Sequence, residues 1–377
     1  MVKSANVIGS KALIALSLVL VAALALPVVS CAPKAPEEAA PVVNVRIHSQ
    51  MPVGHYVTES VDLFIKEAEA RSRGSLKFTH YPAMQLYTDI AVAGVLSDGG
   101  VEMAQVQGLY FVGKVSEVAG GLLPGFYNDQ DHYFRAAYDT DHGGGFVDKI
   151  LEPAFEKKAN VKVLSFLGYS INLCTLTNKS VRKVEDYKGL KIRSLGKSAS
   201  VLLQALGAAP VVMSASDVYM ALQRGTIEGV FSGLTSFYER KWYESAKYVQ
   251  NYYTGSANFS LAANLDFWNK LTTSQKKAIM EAALIAEIYS IDKALTGDDE
   301  ARKALIAAGV EVYDFPRSEV QKVNELARPP LIKMVNEDLG TDVGGQIVKM
   351  LEDTLDAKTT WQNCCKQHNK RLLDTLK

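Results

Sequence analysis

The chain has little of what announces metal, redox or nucleotide chemistry. Four cysteines in 377 residues offer no disulfide framework. Cys364 and Cys365 are neighbours, which backbone strain keeps from bonding each other, and Cys174 sits in an apolar run as a small hydrophobe. The six histidines (His48, His55, His80, His132, His142 and His368) are scattered. None pairs at i, i+4 with a glutamate or has a second ligand at zinc spacing, so neither a metal nor another cofactor is expected. Lysine plus arginine and aspartate plus glutamate both number 41, with no basic block, which argues against a nucleic-acid partner. Gly196-Lys197-Ser198 mimics the end of a phosphate-binding loop, but Lys191 stands where the required upstream glycine belongs. No Gly-x-Ser-x-Gly elbow appears. A spatial triad stays open in principle, though nothing in the chain argues for one.

The one long apolar run is at the start. Lys3 and Lys11 flank a polar opening, residues 12–26 are almost unbroken in hydrophobicity, and Pro27 leads into Val28-Val29-Ser30-Cys31. That ending resembles the lipobox of bacterial lipoproteins. The resemblance makes residues 1–30 a signal peptide and Cys31 the lipid-bearing first mature residue. A plain signal peptide with an incidental Cys31, or a single membrane anchor, are the alternatives; the run is short for a span of about 20 residues. Residues 31–42, rich in proline, alanine and glutamate, read as a flexible tether. About 335 residues remain, more than one hydrophobic core usually serves, so two domains are expected.

Beyond the tether, strand and helix patterns alternate. Val43–His48 reads as a strand, and Val61, Phe64, Ile65 and Ala68 fall on one helical face before Gly74. Leu76–Tyr81, Val101–Val106 and Val161–Phe166 are further strands. The centre repeats the pattern more tightly. Strand Leu190–Arg193 precedes a helix from Ser198 to Leu206, and strand Ala209–Val212 precedes a helix started by Ser214 and Asp217 as a capping-box-like pair and ended by Gly225. Strand Ile227–Phe231 closes the series, and units this short imply parallel pairing with right-handed crossovers. From Ser274 to about Ala308 the chain is helical and alanine-rich, and the last 60 residues are largely helical as well.

Arg193 closes its short strand immediately before a helix, where open α/β sheets bind ligands. A guanidinium is planar, permanently charged and matched to both oxygens of a carboxylate. An ordinary surface arginine is the competing reading from position alone. Aromatic residues cluster from Phe231 to Tyr253; Tyr238 and Trp242, four apart, are expected on one helix against the core, and Phe237 as a cleft wall.

These residues carry a likeness. Asp186–Val249 resembles the central region of the substrate-binding proteins of TRAP transporters, the DctP-like family, through DYKGLKIR (Asp186–Arg193), ALGAAPVVM (Ala205–Met213), SDVYMALQRGTIEG (Ser216–Gly229) and KWYESAKYV (Lys241–Val249). Upstream, RSRGSLKFTHYPAMQL (Arg71–Leu86), GGVEMAQVQ (Gly99–Gln107) and LPGFY (Leu123–Tyr127) fit the same pattern, so the likeness covers nearly the whole mature chain.

The resemblance implies an α/β, two-lobed periplasmic-binding-protein-like fold, with a central ligand cleft and a long helix spanning both lobes. Lobe I would comprise 43–169 and 258–297, lobe II 170–257 and 298–377. It implies a non-enzymatic extracytoplasmic receptor, in the periplasm or lipid-anchored on the outer face of the membrane. The receptor would capture a small organic acid and deliver it to integral membrane subunits driven by an ion gradient. An exported enzyme or a sensory receptor on the same scaffold are the alternatives, and a metal receptor is a weaker one. By the same resemblance Arg193 binds the ligand carboxylate, Gln107 is a second polar contact, and Ser232 lies in the cleft. The chain departs from the family pattern at Leu173, where sialic-acid-specific members have a second arginine, and at Ala215, where many have an aromatic. It departs again at Val230–Gly233, which replaces the common QENP loop. These departures point to a less polar, larger monocarboxylate.

Overall fold

The computed structural model describes residues 41–121, 123–127, 130–170, 173–252 and 257–376. The expected signal peptide, Cys31 and the expected tether as far as residue 40 lie outside the described residues.

Two sheets organise the described chain. The first is built from β1 (Val43–His48), β2 (Leu76–Tyr81), β3 (Met103–Val106), β4 (Val161–Ser170) and β10 (Ala257–Asn264), in the order β2-β1-β3-β10-β4. The second takes β5 (Leu173–Thr177), β6 (Lys191–Ser194), β7 (Ala209–Val212), β8 (Gly229–Gly233), β9 (Tyr248–Asn251) and β11 (Glu311–Asp314), in the order β11-β9-β5-β8-β6-β7. The short strand–helix–strand units pair in parallel: β1 with β2 and β3, β6 with β7 and β8. Each sheet is completed by an antiparallel strand that local pattern does not reveal. β10 inserts between β3 and β4, and β5 runs between β8 and β9.

The first unit shows why these residues take these forms. His55 caps helix Tyr56–Arg71 by accepting from the Val57 backbone N–H at 3.0 Å. Val57, Val61, Phe64 and Ala68, spaced for one helical face, are all fully buried, and the Phe64 ring meets Phe78 of β2 edge-on at 5.5 Å between centroids. Burying each of the larger side chains contributes about 1.5–3 kcal/mol.

Helix Thr273–Ala307 has 35 residues and is therefore about 50 Å long. Thr272 and Gln275 start it as a reciprocal capping box, at 3.2 Å and 3.0 Å. It packs on helix Tyr56–Arg71 and β4 and also on helix Leu234–Glu239 and β11, so it serves both sheets. Small residues permit the approach. A methyl group on Gly168 would lie 2.8 Å from the Ile291 Cα, and the Gly168 N–H donates to Ser290 Oγ at 2.9 Å.

The stretch 298–377, assigned as a whole to the second lobe from the sequence, divides in the structure. β11 joins the second sheet and helix Arg317–Leu339 packs on helix Lys197–Ala205. Helix Trp361–Asp374 returns to the first sheet's helices: Arg371 donates to Tyr138 O, Asn369 to Met280 O, and Asp131 accepts from Trp361 N, each at 2.8 Å. Buried apolar surface on that helix, Trp361 and Leu372 among it, is what draws it back.

Candidate functional site

Arg193 sits on β6, which lies between β7 and β8, and only 1% of it is exposed. Its Nε donates to Met213 O at 3.1 Å, which fixes the plane of the guanidinium. No described residue accepts from its two terminal nitrogens, and it lines a cavity between the sheets. Facing the cavity without a protein acceptor, these donors can take an incoming one.

The cavity holds about 20 Å³ of space open to the centre of a water molecule, and both sheets supply its walls. Gln107, at the end of β3, and Phe259 of β10 come from one side; Ser232 of β8, Ala215 and Leu195 come from the other. The structure therefore brings Arg193, Gln107, Ser232 and Ala215 to one place. Phe237 and Leu173 are elsewhere. Phe237 is fully buried with its ring 6.4 Å from that of Trp242, and Leu173 is fully buried opposite Gly233 at the start of β5. Helix Leu234–Glu239 turns Ser236, and Arg240 just beyond its end, toward the cavity, which leaves Phe237 facing the core. That helix also stops before Trp242, because Lys241 adopts φ 56°. Tyr238 and Trp242 thus share no helix: Trp242 is buried, whereas Tyr238 is 40% exposed and stacks on Tyr243 at 5.6 Å.

Sequence reasoning missed several groups here. Arg240 approaches the first lobe through Nη2, 3.4 Å from Gln50 O and 3.3 Å from Met51 Sδ. Burial lowers its pKa, and Arg193 adds to that while Asp89 opposes it. Asp89, between β2 and β3, accepts from Ser214 Oγ at 2.5 Å, Ala215 N at 3.1 Å and Tyr110 Oη at 2.8 Å. The first two bonds cross from one sheet's loops to the other's. Burial raises the Tyr110 pKa well above the usual phenol range, and the Asp89 charge adds to it against the pull of Arg193. Tyr169, on β4, shares hydrogen bonds with Ser232 Oγ at 2.9 Å and Ser236 Oγ at 2.5 Å, a third bridge across the cleft. A hint was present in the sequence: Ser236 and Arg240 stand four apart beside the strand that carries Ser232.

Asp148, Glu152 and His368 form a second titratable cluster, their nearest ligand atoms within 4.8 Å of one another. His368 Nδ1 lies 2.6 Å from Asp148 Oδ1, and Arg371 ion-pairs with the same carboxylate. A cation is already supplied there by Arg371, so the cluster reads as the anchor of the last helix. Cys174, Cys364 and Cys365 are free and buried. Among the described residues no helix is long and apolar enough to cross a membrane.

Comparison with known proteins agrees with this geometry. The family described as bacterial extracellular solute-binding protein, family 7 (DctP) matches residues 47–338. A solute-binding protein of Albidiferax ferrireducens is 26% identical over 278 residues, 73% of this chain and 80% of that protein. The sialic acid-binding periplasmic protein SiaP of Vibrio cholerae serotype O1 is 25% identical over 312 residues, 81% of this chain and 92% of its own. Among solved structures, a TRAP periplasmic solute-binding protein of Desulfovibrio salexigens with bound orotic acid superposes with a TM-score of 0.77 at 19% identity, covering 83% of this chain and 98% of that one. The chain belongs to the bacterial extracellular solute-binding protein family 7, and its fold is the two-lobed fold of TRAP solute-binding proteins.

Proposed function

We propose that this protein captures a small monocarboxylic acid between its lobes, with Arg193 as the carboxylate anchor, and delivers it to membrane subunits of an ion-gradient-driven transporter. The observation that carries the proposal is the buried guanidinium held by Met213 O with its terminal nitrogens unpaired. Charge count supports one carboxylate over two. Arg193 and Arg240 against Asp89 leave one net positive charge in the cavity lining, which a monoanion neutralises and a dianion overshoots. Gln107 supplies a further polar contact and Ala215 leaves space. The reading is of a receptor and not an enzyme, tethered outside the cytoplasm through lipid on Cys31. The lobes, 43–169 with 258–297 against 170–257 with β11, close on the ligand because Asp89, Tyr169 and Arg240 make contacts across the cleft only when it is shut.

Calorimetry on Arg193→Ala tests the anchor. Hydrogen bonds to a charged group contribute about 1.5–3 kcal/mol each, so losing a bidentate pair weakens binding at least about a hundredfold. Affinity within about threefold of wild type removes the assignment. Ligand recovered chemically intact after long incubation supports a receptor, and appearance of product rejects it. Metabolic labelling with a fatty acid that disappears in Cys31→Ala checks the anchor to the membrane.

A further inference from the structure

A second chamber lies behind the cleft, on the far side of the first sheet. It holds about 50 Å³ of space open to the centre of a water molecule, and Gln107 belongs to the walls of both cavities. Val118, Phe146, Leu151 and Phe166 make it largely apolar, and no residue lining it is charged. The alternation of β10 explains the placement. Phe259 faces the cleft, so Asn258 and Ser260 face the chamber. Oγ of Ser260 is buried and completes no hydrogen bond with a described residue, and the buried Asn258 amide has only the Tyr133 hydroxyl, itself in the chamber wall, beside it. Ser260 is 1% exposed. Native interiors rarely leave a buried hydroxyl unmet at the wall of a void unless something else meets it. Gln107 likewise makes no side-chain hydrogen bond to a described residue, and it stands in the wall the two cavities share. Leu109, in the chamber wall, lies 3.7 Å from where a Cβ on Gly196 would stand, so this wall reaches the seam where the lobes meet.

Resting on the reading of Arg193 as carboxylate anchor, we infer that this chamber is a tail subsite. It receives the far end of the bound acid, an uncharged chain ending in a hydroxyl or carbonyl that Asn258 and Ser260 hydrogen-bond. A water molecule needs roughly 10–15 Å³ on the same measure. The chamber of about 50 Å³ therefore takes about three to five non-hydrogen atoms, and the acid it selects has a carboxylate, a short bridge past Gln107 and that tail. A second carboxylate is excluded because nothing charged is there to receive it.

Titration of the full mature protein with propanoate, hexanoate, 6-hydroxyhexanoate and adipate tests the subsite. Each buried methylene strengthens binding about fourfold, so hexanoate should bind at least tenfold tighter than propanoate. 6-Hydroxyhexanoate should exceed hexanoate, and adipate should fall at least tenfold below it. Val118→Phe, which fills the chamber, should collapse the hexanoate-to-propanoate ratio towards one. Ser260→Ala, a smaller change that spares the fold, should erase the gain from the terminal hydroxyl. Affinity that is flat with chain length in wild type, or no binding of any of the four acids, overturns the tail subsite. If binding is flat yet vanishes in Arg193→Ala, the anchor stands without the subsite. If binding survives Arg193→Ala, the anchor itself is wrong.

Discussion

Removing the Ser214 hydroxyl asks whether contacts made across the cleft hold the lobes together. The Ser214 Oγ donates to Asp89 Oδ1 at 2.5 Å, joining the loop after β7 to the loop after β2. A hydrogen bond to a charged acceptor contributes about 1.5–3 kcal/mol. At 1.4 kcal/mol per factor of ten, its loss lowers the closed form by roughly 10- to 150-fold relative to the open one. Substituting the serine and not the aspartate keeps the charge balance of the cavity unchanged, so the effect isolates closure. In a receptor that is mostly open when empty, the apparent Kd of Ser214→Ala rises by that whole factor. Opening precedes release, so the increase appears chiefly as faster dissociation.

The assay is stopped-flow release of bound acid alongside calorimetric affinity, with thermal unfolding as the check on the fold. Ser214 also pairs with Ser216 Oγ at 2.7 Å, so Ser216→Ala is the matched control. It disturbs the same loop but leaves the bond to Asp89, and should release ligand at close to the wild-type rate. If Ser214→Ala keeps wild-type affinity and dissociation rate, the bond to Asp89 does not govern closure. If both serine variants weaken binding equally, loop geometry is responsible and not the bridge.

Two further perturbations probe the electrostatics. Arg240→Met removes one of the two cavity cations, leaving Arg193 and Asp89 to cancel before any anion arrives; affinity for a monocarboxylate should fall about tenfold or more by calorimetry, on the scale of one lost charge-assisted contact, and unchanged affinity would refute the charge count. His48 is fully buried, neither ring nitrogen has a hydrogen-bond partner among the described residues, and burial, helped by His80, lowers its pKa to about 4. Because that lies below the unfolded value near 6.5, the unfolded state binds the proton first as pH falls. The neutral imidazole's stabilising contribution is therefore complete above pH 6.5 and lost as pH drops towards 4. Between pH 7.5 and pH 5 the loss is about 2 kcal/mol. Urea unfolding of His48→Gln should show a pH slope shallower by that amount, and parallel slopes would contradict it.

How far the sequence foretold this site follows from what decides each residue's position. Arg193 was legible because its place is local: a four-residue strand, a glycine turn and a helix determine where a strand-end side chain stands. Gln107 and Ser232 came from family likeness, again at strand ends. The groups that sequence reasoning missed owe their roles to another part of the chain. Ser214 with Asp217 satisfies the pattern of a helix start, yet helix Val218–Gln223 takes no side-chain cap from Asp217 and the Ser214 hydroxyl turns to Asp89 instead. A charged acceptor outcompetes a backbone N–H, but only once the lobes have brought residue 89 beside residue 214. The choice between Phe237 and its neighbours is a matter of helical phase, 100° per residue. Helix Leu234–Glu239 needs one apolar face on the core that holds Trp242, and Phe237, as the largest apolar side chain in reach, takes it. That choice rotates Ser236 and Arg240 into the cleft together. Had the helix been phased from its apolar residues first, the second cleft cation would have followed from the sequence. Asp89 would not, because nothing near it in the chain records which loop it faces.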